Sequence, residues 1–140
     1  MIDLPRSSPR VARLGRLQAG LIPLVFAFLM LTGCESGPPI YPVEPDAAKQ
    51  SLELVLNGWK EGKPIDAWLT ANPRIVVQDH DWSMGRKLNG FEIGKGEAID
   101  ANLHNEVTLT LDMDGKPSPK RVTYLVGTKP VITVFRKLGP

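Results

Sequence analysis

The sequence predicts an α+β domain in which an N-terminal helix packs on a curved antiparallel sheet of four to five strands. Between Asp46 and Gly62 apolar residues recur at helical spacing, whereas from Arg74 onward the period changes to two and β-branched residues accumulate. Glycine- and proline-rich turn signals, such as Asp114-Gly115 and Gly127-Thr128-Lys129-Pro130, punctuate the second part. Helices first and strands afterwards is an α+β order.

Each element has its own signal. Asp46 is the expected N-cap of the first helix, and Ala48, Leu52, Val55, Leu56 and Trp59 fall on one face, with Lys49, Glu53 and Lys60 mostly off it. Gly62 marks its end. Pro64 then opens a short second helix carrying Ile65, Trp68 and Leu69, which Asn72-Pro73 stops. Arg74 to Trp82 reads as a first strand, and Arg86 to Gly94 as a second with a bulge at Asn89-Gly90. In the third, Val107, Leu109 and Leu111 alternate with Thr108, Thr110 and Asp112, the pattern of one buried and one wet face. Asp114-Gly115 turns the chain, with Pro117-Ser118-Pro119 extending the connection into a longer loop. Val122, Tyr124 and Val126 line one face of the fourth strand, so the Tyr124 ring is expected to be half-buried with its hydroxyl at the sheet margin. The last strand, Val131 to Lys137, is apolar on both faces and belongs inside the sheet or under the helix.

Ahead of this domain the chain has a different character. Arg6, Arg10, Arg13 and Arg16 precede the apolar run from Leu21 to Leu31, a charged segment followed by a hydrophobic one, as in an export signal. A membrane-spanning helix needs about 20 apolar residues. This run is little more than half that and contains Pro23. It is followed by Leu31-Thr32-Gly33-Cys34, and then by a segment from Glu35 to Pro45 whose prolines favour an extended polyproline conformation. At about 3.1 Å per residue such a segment reaches on the order of 30 Å. The expected division is a signal peptide over 1–33, a tether over 34–45 and a single domain over 46–140.

Leu31-Thr32-Gly33-Cys34 resembles the lipobox of bacterial lipoproteins. The resemblance implies that the Cys34 thiol receives diacylglycerol and that a dedicated peptidase then cuts before it. It implies a partner, the membrane reached through the lipid on Cys34, and an address, the cell envelope. Glu35, rather than an aspartate, follows the cysteine, which in that family favours the outer membrane facing the periplasm over the inner membrane.

Charge and cysteine usage agree with that division. The chain has 17 Lys and Arg against 15 Asp and Glu; setting aside the four arginines and Asp3 of residues 1–33 leaves 13 against 14. A near-neutral mature chain lacks the basic footprint of a nucleic-acid binder. Cys34 is the single cysteine, so the domain carries no disulfide and depends on its apolar core.

The element order, with the aromatic and glycine positions Trp59, Trp82, Gly85 and Tyr124, looks like the cystatin-like roll or a trimmed cone of the nuclear-transport-factor-2-like superfamily. That superfamily includes isomerases, cyclases and dehydratases with Asp, His or Tyr in a deep cavity, and members that only bind a ligand or partner. The candidate catalytic residues here are Asp79 or Asp81 as a carboxylate base and Tyr124 or His104 as hydrogen-bond donor to an oxyanion. On a strand Asp79 and Asp81 would share a face and His80 would leave on the other, so no metal site and no cofactor is expected. Gly94-Lys95-Gly96 lacks the third glycine of a dinucleotide loop, and Asp112-Met113-Asp114-Gly115 has its glycine misplaced for a calcium loop. The sequence therefore favours a non-catalytic binding or interaction module for an envelope protein or small ligand. The alternative is a small cavity isomerase or hydrolase.

Overall fold

Pro45 opens helix α1 (Pro45–Lys60), with Glu44 rather than Asp46 as the N-cap residue. Proline suits that first position, because its fixed φ is already helical and its missing N–H has no intrahelical partner there. The computed structural model describes Gly37 and residues 39–139, and the elements all lie in one compact unit, Pro39–Pro140. The signal-like segment, the lipobox and, of the tether, residues 34–36 and Pro38 lie outside the described residues.

Helix α1 buries Ala48, Leu52, Val55, Leu56 and Trp59, a stripe in which each large apolar side chain contributes about 1.5–3 kcal/mol. It ends in a Schellman motif. The Lys63 amide donates to the Gly58 carbonyl and the Gly62 amide to that of Trp59, with Gly62 at φ +84°, a conformation that costs glycine nothing. A 3-10 helix (Ile65–Thr70) follows and presses Trp68 against Gly58, where an added Cβ would collide with the indole ring.

The fold is α+β, built on one open mixed sheet of five strands: β1 (Ile75–Gln78), β2 (Leu88–Ile99), β3 (Asn102–Met113), β4 (Lys116–Gly127) and β5 (Ile132–Arg136), in the spatial order β1-β5-β4-β3-β2. The expected purely antiparallel sheet is corrected at one edge. β1 runs parallel to β5, with Ile75 opposite Ile132 and Gln78 opposite Phe135. The remaining pairs are antiparallel. Strand β5 is interior, as its apolar pattern on both faces requires. On β3, Leu103, Val107, Leu109 and Leu111 face the α1 stripe and form one core with it.

Three further expectations are revised. β2 and β3 are twelve residues each and extend well beyond the alternation that signals them; the expected irregularity at Asn89-Gly90 is present as a register shift between Leu88 and Gly90, and a second lies between Ile93 and Gly96. The β3–β4 connection is a tight two-residue turn rather than a long loop, with Asp114 at φ +56° and Gly115 at φ +79°. Pro117 and Pro119 belong to β4. They lie two residues apart and so present the same edge, and β5 pairs only with Tyr124–Gly127, which leaves that stretch of edge open where a missing N–H breaks no ladder. Finally, the strand expected over Arg74–Trp82 stops at Gln78. Asp79 accepts a hydrogen bond from the Trp82 amide at 3.0 Å and N-caps a single helical turn, α2 (His80–Ser83), which the Ser83 hydroxyl ties to the Asp79 carbonyl.

Candidate functional site

The cap at Asp79 decides where the candidate residues point. On a continuing strand Asp79 and Asp81 would sit at a wet edge; the turn of α2 instead carries both carboxylates inward, each 4% exposed, and leaves His80 in solvent. Tyr124, on the inner face of β4, donates its hydroxyl to Asp79 Oδ2 at 2.5 Å. It is buried, not half-buried, and its hydroxyl lies beneath α2 rather than at the sheet margin.

Residues that the sequence reading did not single out complete the cluster. Arg136, at the end of β5 and directly opposite Tyr124, bonds both Asp79 Oδ1 and Asp81 Oδ2, with its side chain only 9% exposed. Lys120 reaches Asp81 Oδ2 at 2.9 Å, and Arg86 Nε lies 3.1 Å from Asp81 Oδ1. Two buried carboxylates thus meet three cations, a phenol and a main-chain amide. Such a cluster holds only if each charge is compensated and hydrogen-bonded.

The electrostatics follow. Burial alone would push the Asp81 carboxyl up, but hydrogen bonds from Lys120 and Arg136, together with their charges, hold it below the usual 3.8. For Tyr124, burial and the adjacent Asp79 act in the same direction and push the phenol well above the usual 10.0. Burial opposes the Arg136 charge, yet the hydrogen bond to Asp81 and both carboxylate charges raise its pKa. Asp81 is therefore a weak base and Tyr124 a reluctant acid.

His104 does not join this group. It alternates with buried Leu103 and Asn105 on β3 and so faces the other side of the sheet, in a shallow depression shared with Glu97, Glu106 and Thr123. Among the described residues no three of His, Cys, Asp and Glu are placed to hold a metal ion. Cys34 lies outside the described residues.

Beside the cluster lies a groove of about 550 Å³. One lip is the C-terminal end of α1 running into Lys63; the other is the C-terminal end of α2 running into Arg86. The two are built alike. Trp59-Lys60-Glu61-Gly62-Lys63 and Trp82-Ser83-Met84-Gly85-Arg86 share the pattern Trp-x-x-Gly-basic, and both close as Schellman motifs, the second through Arg86 to Asp81 and Gly85 to Trp82 with Gly85 at φ +78°. Each indole then crosses to the other lip. Trp59 Nε1 donates to the Arg86 carbonyl at 2.9 Å, and Trp82 Nε1 to the Lys63 carbonyl at 3.2 Å. Between them the rings stack with centroids 5.1 Å apart and planes 3° from parallel. This reciprocal clasp fixes the width of the groove. No family model, curated protein or solved structure matches the chain.

Proposed function

We propose that this chain is a lipid-anchored protein of the bacterial envelope whose domain is a non-catalytic binding or interaction module. On this reading Cys34 carries the lipid, residues 35–45 form the tether, and the outer membrane, facing the periplasm, is the favoured location. The domain is read as a cystatin-like roll, with α1 lying across the antiparallel part of the sheet.

The observation that carries the non-catalytic reading is the saturation of the carboxylate cluster. A general base needs a pKa poised near the working pH and a free path to substrate. Asp81 is held in the opposite direction by Arg136 and Lys120, and the Tyr124 hydroxyl is committed to Asp79. The cluster instead pins α2 to the sheet, and thereby sets the second lip of the groove. A small cavity isomerase or hydrolase is the second reading, favoured by the convergence of Asp79, Asp81 and Tyr124. It requires Tyr124 to release Asp79 and reach a substrate.

The test places a photo-crosslinking side chain at Asn89, in the groove, or at Thr108, on the far face of β3, in the full lipidated chain in cells. A discrete adduct from Asn89 and none from Thr108 is expected. The absence of any Asn89 adduct would count against a binding module that works through this face.

A further inference from the structure

We infer that the clasped groove recognises a carboxylate-rich segment of a protein partner in the envelope space, an inference that rests on reading the domain as a binding module. Charge is the first argument. Lys60 and Lys63 stand on one lip and Arg86 and Lys87 on the other; among the described residues Glu61 is the one carboxylate that lines the groove, while Asp112 and Asp114 lie in the adjoining depression that Arg86 and Lys87 also border. The mature chain as a whole is close to neutral, so this excess is local. Arg86 is held by Asp81, and Lys63 lies 3.6 Å from Glu61, whereas Lys60 and Lys87 are exposed and have no ion-pair partner among the described residues.

The chemistry of the walls narrows the ligand. A sugar needs an open aromatic face, but Trp59 and Trp82 turn theirs toward each other and are only 3% and 7% exposed. A phosphate is commonly cradled by successive free amides. Here those of Glu61, Gly62 and Lys63, and of Met84, Gly85 and Arg86, already bond helix carbonyls. What remains is a set of exposed ammonium groups on both lips, with apolar Pro64, Ile65 and Leu88 in the lining between them. Such a groove fits an extended chain with carboxylates on either side of an apolar residue. The anchoring bilayer is a poorer occupant. The chain enters the domain at Glu44, at the other end of α1, roughly 24 Å away for sixteen helical residues.

The experiment uses the full lipidated chain in detergent and a fluorescent glutamate-rich peptide containing one leucine, with its glutamine counterpart as control. Anisotropy should report binding of the acidic peptide alone, weakening as salt is raised. Lys60→Glu with Lys87→Glu should weaken it about tenfold or more, since reversing two exposed charges removes roughly 1.4 kcal/mol or more. Lys60→Arg with Lys87→Arg should restore it, and Lys95→Glu, in the depression around His104 on the other side of the sheet, should leave it unchanged. Equal binding of the glutamine peptide, no effect of the double reversal, or binding only to phosphatidylglycerol vesicles would overturn the inference. If the acidic peptide fails while Asn89 still yields its adduct in cells, the ligand class is wrong and the binding-module reading stands; if both fail, both fall.

Discussion

Arg136→Met removes the cation that, among the described residues, alone bridges both buried carboxylates, while keeping much of the side-chain volume. Asp81 would retain Lys120 and Arg86, but Asp79 would be left with two neutral donors, the Tyr124 hydroxyl and the Trp82 amide. Breaking a buried pair by removing one partner costs about 3–5 kcal/mol. The surviving cations on Asp81 place the expected loss near the lower end, about 3 kcal/mol. Domains of this size hold roughly 5–15 kcal/mol in total, so the variant should still fold. With a urea slope of about 1–1.5 kcal/mol per molar, the midpoint should fall by about 2–3 M. Asp79→Asn in the same background should recover part of the loss, because it removes the charge left uncompensated. A drop below about 1 kcal/mol, or no recovery in the double variant, would show that the carboxylates are satisfied by water and that the cluster does not hold α2 in place.

Gly58→Ala gains helix propensity of about 1 kcal/mol but drives a methyl into the Trp68 ring, so it should destabilise by about 1–3 kcal/mol; a higher thermal midpoint would refute the close packing. Trp59→Ala removes a core ring and one half of the clasp, with an expected loss of about 3–5 kcal/mol, read by urea unfolding. Stability should fall at both pH extremes. Asp81 titrates lower in the folded chain, so between its two values the unfolded state holds more protons, and its contribution is lost as pH drops below about 3.8. Tyr124 titrates higher when folded, so the folded state holds more protons and stability declines as pH rises past about 10. Tyr124→Phe should flatten only the alkaline side, and a flattening of the acid side instead would refute the assignment.

The core was legible because its signals are local. The stripe from Ala48 to Trp59 and the alternation of Val107, Leu109 and Leu111 state their buried faces directly. The segment from Asp79 to Ser83 was not, because a strand-like alternation and an aspartate N-cap compete over the same residues. The outcome depends on Arg136 and Tyr124, 57 and 45 positions from Asp79, closing over the turn. Of the candidates, Asp79, Asp81 and Tyr124 converge in a buried cluster rather than at a wet strand end, and His104 is separated from them by a single step in strand parity. The groove did leave a trace. Trp-x-x-Gly followed by a basic residue occurs at Trp59 and again at Trp82, and each glycine is a C-cap signal, but only the fold brings the two caps face to face.

The carboxylate cluster is either a structural staple or a poised acid–base pair, and carbon-13 titration of the Asp81 carboxyl distinguishes the two directly. Held by Arg136, Lys120 and Arg86, it should titrate with a midpoint below 3.8. A midpoint near 6, the range of a working general base, would contradict the staple and favour a catalytic role for the cluster.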